Sequence, residues 1–135
     1  MDFEVRSASY APESRGWLRG PHGTEPGTTP SITLDLSLFD ADDHYPDGYI
    51  KSGCVVAKVT ASGLYGPYDP DGTDGRQTAT GLLFNSESVR AGQTKALNAQ
   101  VVHAFVDPDR LPYTAVEGAL DAAARADLPL IYWED

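Results

Sequence analysis

The chain is short of cysteine, of positive charge and of long apolar runs, and each shortage excludes something. A single thiol, Cys54, among 135 residues rules out an internal disulfide framework. Ten Lys and Arg stand against twenty Asp and Glu, for a formal charge of −10 and an isoelectric point near 4.5. So few basic side chains argue against nucleic acid or an anionic membrane as a direct partner, because both demand a basic face. The longest apolar stretches, such as residues 128–133 with Pro129 inside them, fall far short of the ~20 residues that span a bilayer. Asp2, Glu4 and Arg6 interrupt any charged-then-apolar leader at the start. The expectation is a soluble chain made in a reducing cytoplasm, with no spanning segment. At 135 residues it is long enough for one domain that buries roughly two-thirds of its unfolded surface.

Proline and glycine, by contrast, are concentrated. Residues 12–30 contain four prolines and four glycines in nineteen positions, above the ~25–30% at which non-globular behaviour sets in. Proline removes backbone donors and glycine raises the entropy of ordering, so this stretch does not make helix or sheet by itself. Trp17 and Leu18 lie inside it. A large aromatic in such an arm either lands on a partner or packs back onto its own domain. The chain therefore divides into an extended N-terminal arm, residues 1–30, and a β-rich domain, residues 31–135.

Within that domain Ile32, Leu34, Leu36 and Leu38 alternate with polar residues, the period of a half-buried strand. Residues 50–60 read as a β-branched strand with Val55, Ala57 and Val59 on one face, and Ser62-Gly63 turns it into a strand over 64–68. Residues 69–75 are turn formers only, followed by strands over 77–84 and 97–106. Thr114 and Glu117 have capping-box spacing and predict one helix, with Val116, Leu120 and Ala123 on its apolar side. Pro129 stops that helix and residues 130–133 read as a last short strand. The class is α+β and β-rich.

No chemical motif completes itself. Started at Asp69, an EF-hand pattern places Asp74 where glycine is required and Thr80 where the bidentate glutamate belongs. The cluster Asp40, Asp42, Asp43, His44 and Asp47 meets Lys51 at its closing position. His22, His44 and His103 share no helical spacing, and one thiol cannot complete a zinc site. His103 is expected on a strand face with Leu97, Val101 and Phe105 as a hydrogen-bonded, partly buried side chain. Cys54 reads as a small apolar residue. With neither a nucleophile elbow nor a phosphate-cradling loop, the reading is of a non-enzyme that takes no metal or cofactor.

Residues 49–68, with Ser62-Gly63 as a small turn between two extended runs, resemble the opening of the lambda-type phage head decoration proteins. The continuation Thr73-Asp74-Gly75-Arg76-Gln77-Thr78-Ala79-Thr80-Gly81-Leu82-Leu83 is similar to the hairpin return of that family. Residues 23–36 and 118–131 look like the arm-to-strand region and the ending of decoration proteins from actinobacterial phages. The resemblance implies a small β-tulip or barrel-like domain with one short helix near the C-terminus. It also implies a cement protein on the outer surface of the expanded virion capsid, a homotrimer that locks major capsid protein subunits against internal DNA pressure. The family supplies no catalytic residues.

An arm leading into an alternating strand suits addition of a strand to a neighbour's sheet edge. Trp17, Leu18, Ile32, Leu34 and Leu36 are accordingly the expected capsid-binding residues. A trimer offsets the entropy of ordering such arms, because three tethered arms engage together. The alternative is a small ligand- or carbohydrate-binding β module that uses Tyr65, Tyr68 and Trp133 as stacking faces.

Overall fold

The computed structural model describes residues 15–25 and 27–134; the part of the expected arm over 1–14 lies outside the described residues. Nine strands are present among them. Five, β1 (Ser31–Asp35), β3 (Val55–Lys58), β4 (Tyr65–Pro67), β5 (Ala79–Leu83) and β7 (Lys95–Val101), close a barrel in the order β1-β4-β3-β5-β7. Closure comes from β1, antiparallel to β7 over five residue pairs and parallel to β4 at Leu34↔Tyr65. A closed barrel leaves no unpaired edge along its wall. Two short pairs flank it: β2 (Tyr49–Ile50) with β6 (Glu87–Ser88), and β8 (Ala104–Val106) parallel to β9 (Ile131–Trp133).

The period-two alternation sorts side chains into two cores. Ile32 and Leu34 of β1, Val56 of β3, Leu83 of β5 and Ala96 of β7 point into the barrel, joined by Leu36, Phe39, Ile50, Cys54 and Tyr113. Val55, Ala57, Ala79, Leu82 and Val101 point outward from the same strands, and a second layer covers them. That layer is Trp17, β8, β9 and the helix α1 (Ala122–Asp127), through Ala104, Val106, Ala124, Leu128 and Ile131. β3 is thus buried on both faces, which explains its uninterrupted apolar run. Where the barrel interior is polar it is paired: Gln100 accepts from Thr80, and the Asn98 amide donates to the Asn85 carbonyl and to Glu87.

Three local expectations are corrected. The alternation of residues 32–38 does not continue as strand, because the Asp35 carboxylate accepts from the Ser37 N–H and turns Leu36–Leu38 into a 3-10 helix. The strand expected over 97–106 is two strands, β7 and β8, which belong to different sheets. The helix starts at Ala122 rather than at the Thr114–Glu117 box, with Asp121 capping it through the Ala124 N–H at 2.8 Å. Gly118 causes the delay. Its φ is +89°, its N–H donates to the Tyr68 carbonyl and its carbonyl accepts from the Val55 N–H. The backbone there is pinned to the barrel wall and cannot wind. A Cβ at Gly118 would stand 2.6 Å from the Cys54 sulfur.

Residues 15–19 lie on the domain. Trp17 is 1% exposed; its carbonyl accepts from Asp107 and the Arg19 N–H donates to Phe105, so this stretch pairs antiparallel with β8 around the Leu18↔Val106 bridge. One strand edge of β8 is thereby occupied by a segment that composition marks as unable to form sheet alone.

Candidate functional site

The residues expected to bind a capsid are mostly inside the molecule. Trp17 belongs to the outer core, Ile32, Leu34 and Leu36 to the barrel interior, and only Leu18 keeps partial exposure. Contact through the first four side chains would require taking them out of a packed core. The three rings named for stacking do not converge either. Tyr68 is buried, with its hydroxyl donating to Asp121 at 2.9 Å, and burial followed by that carboxylate pushes its phenol up to about 12. Tyr65 packs against the barrel core and Trp133 against the outer one, where the Arg125 guanidinium covers its ring at 5.5 Å.

The acidic loops are closed by protein partners. Arg76 donates to the Asp74 carboxylate at 3.0 Å and lies 3.9 Å from Asp69, so a cation already sits where the calcium reading placed its ligands. Backbone donation from Arg76, ahead of its side chain, holds the Asp74 carboxyl below its ordinary value. Glu117 packs beside Asp69, and burial first and that hydrogen-bonded neighbour second push its carboxyl up. His44 is buried, with Nδ1 accepting from the Asp40 N–H at 2.8 Å and Nε2 donating to the Glu117 carbonyl at 2.7 Å. Those two partners require the neutral Nε2–H tautomer. Cys54 is fully buried, which pushes its thiol up, away from reactivity. Among the described residues no group of three or more His, Cys, Asp or Glu is arranged to hold a metal ion, and no helix is long and apolar enough to cross a membrane.

What the structure does bring together is an aromatic face. The period of two that sends Ala104, Val106 and Ile131 inward sends Phe105 and Tyr132 outward, with Tyr132 61% exposed and the two rings 5.7 Å apart. His22 lies 5.6 Å from Phe105 and its Nε2 is hydrogen-bonded to His103 Nδ1. Leu130 and Pro129 complete the rim of a shallow groove. His103 is thus hydrogen-bonded as expected but exposed rather than partly buried, because it lies in the bend between β7 and β8 and not on a strand face. Sequence reasoning missed this face. Its two strands are three residues each, too short for alternation to stand out from noise.

This geometry leaves an exposed aromatic face on β8 and β9. A family model described as bacteriophage lambda head decoration protein D matches residues 38–131. No curated protein and no solved structure matches the chain. The match covers β2 through β8 and reaches the first residue of β9, and the chain belongs to this family of phage head decoration proteins. The family is a structural one of the virion capsid rather than an enzyme family.

Proposed function

We propose that the protein binds the outer surface of the expanded phage capsid as trimers and cements neighbouring major capsid protein subunits against the pressure of packaged DNA. The observation that carries this reading is the family match together with an unpartnered aromatic face on β8 and β9. Exposed aromatics grouped on one rigid face are what protein partners use as anchors, and single anchors are worth roughly 2 kcal/mol or more. Binding the assembled shell and not its free subunits stabilises the shell by mass action. The formal charge of −10 keeps many outward-facing copies soluble and suits an outer position better than a DNA-lined interior. The protein is made in the host cytoplasm before docking, and the N-terminal arm, ahead of Arg15, adds backbone hydrogen bonds to the shell.

Co-sedimentation with expanded empty capsids tests the reading. Phe105→Glu with Tyr132→Glu places charge on the face without touching either core, so melting is unchanged and capsid binding falls by at least tenfold, about 1.4 kcal/mol. Reconstructed density with three copies at each binding position supports the trimer; one or two copies would sink it. Full occupancy by the double variant would show that the aromatic face is not the docking element. Removing residues 1–14 weakens binding separately, and undiminished binding would return the arm to a passive role.

A further inference from the structure

A second concave site lies away from the aromatic face. Between the turn after β2 and the 3-10 turn Pro108–Arg110 is a cavity of about 270 Å³, walled by Trp17, Tyr49, Lys51, Ser52, Arg110 and Pro112. Two of the ten basic side chains of a strongly acidic protein converge on it, and no carboxylate lines it. Lys51 makes no ion pair among the described residues. Arg110 lies with its Nε 3.3 Å from the Asp107 carboxylate and makes no other ion pair among the described residues.

The indole of Trp17 forms part of the wall, and its N–H is buried without an acceptor among the described residues. An orphaned buried donor costs free energy comparable to a lost hydrogen bond, and tryptophan usually avoids that cost. The indole is fixed in place. Gly53 has a φ of +99°, and a Cβ there would stand 2.8 Å from the indole nitrogen and 2.9 Å from Pro112. The floor is fixed as well: the Lys51 N–H donates to the Tyr113 hydroxyl at 3.0 Å, and the Ser52 hydroxyl donates to the Phe84 carbonyl at 2.7 Å.

An ammonium and a guanidinium donate and cannot accept, so their common ligand is an anion. A carboxylate answers this with a planar pair of oxygens that matches the guanidinium fork. Its single charge also suits a protein whose overall field repels multiply charged anions such as phosphate. Trp17, Pro112 and the ring of Tyr49 supply apolar wall for a short hydrocarbon body beside the acid group. We infer that this cavity is a carboxylate-binding site, taking the acid group of a short free acid or of an acidic side chain presented by a protein partner. The free-acid arm stands apart from the docking role proposed above, and the acidic side-chain arm rests on it.

The test is a titration of the ¹⁵N-labelled full-length protein with sodium propionate, following the two indole N–H resonances and using sodium chloride at equal ionic strength as reference. Trp133 has a buried, unpartnered indole N–H as well but no place in the cavity, so it is the internal control, and Trp133→Phe assigns the signals. The Trp17 resonance, from the wall of the cavity, shifts saturably, Trp133 stays in place, and Lys51→Met and Arg110→Met each weaken the apparent affinity by about tenfold. Both substitutions are at exposed or half-exposed positions, and circular dichroism confirms that the variants fold. Saturation below millimolar propionate identifies a free acid. Saturation only at far higher concentration, with weaker capsid binding by Lys51→Met, identifies an acidic side chain of the shell. No movement of the Trp17 signal, an equal response to chloride, or a response unchanged in both variants overturns the assignment.

Discussion

The two cores share strands but are built on different principles. The barrel interior draws half of its buried side chains from the barrel's own strands: Ile32, Leu34, Val56, Leu83 and Ala96. The outer core covers the same wall with pieces from both ends of the chain: Trp17 from a stretch rich in proline and glycine, and Ala124, Leu128 and Ile131 from the last fifteen residues. It holds the largest buried side chain of the described residues, Trp17, in one cluster with four alanines, Ala57, Ala79, Ala104 and Ala124. A regular core spreads its stability over many similar residues, whereas an irregular one concentrates it in the piece that fills the gap.

Substitutions can break that comparison. Trp17→Ala empties the largest buried side chain and should cost ~3–5 kcal/mol in urea unfolding; a loss below 1 kcal/mol would mean that the barrel stands without its outer layer. Leu34→Ala, inside the barrel, should cost ~2–5 kcal/mol, and a value well above that for Trp17 would reverse the ranking. Asp121→Ala removes both the α1 cap and the acceptor of the Tyr68 hydroxyl, for an expected ~1–2 kcal/mol by thermal melting. The smallest effect is at Glu117. Its folded-state proton affinity is raised above the ordinary value of 4.5, so the folded state holds a proton that the unfolded chain releases first. Stability from this group is therefore full below about pH 4.5 and declines as pH rises through the folded value. Glu117→Gln should melt slightly higher than the parent at pH 7 and equally at pH 4; a variant that melts lower at pH 7 would show that the carboxylate is stabilising there.

The first barrel strand was legible because residues that face one core at period two announce themselves, as Ile32 and Leu34 of β1 do. The helix was misplaced because Thr114 and Glu117 satisfy a local rule while Gly118 obeys a distant one, its two hydrogen bonds to Tyr68 and Val55. Strand β8 was fused to β7 because nothing in the apolar count records a change of sheet partner. Trp17 was legible as an anomaly but not as a destination, since the backbone it pairs with, at Asp107, lies ninety positions away in sequence. The family resemblance, by contrast, was readable from strings spread over the domain, because those strings encode the turns between strands.

The joining of both chain ends in one core has a consequence for how the molecule is made. The barrel can close once β7 has been synthesised, since β1 needs only β4 and β7. Trp17 has no seat until β8 exists, and β8 lacks its parallel neighbour until Ile131–Trp133 leaves the ribosome. Pairings of such sequence separation fold slowly, in roughly milliseconds to seconds. The Trp17 segment therefore cannot take its pairing until residues 104–107 have been synthesised, so the start of the chain is held by a segment near its end.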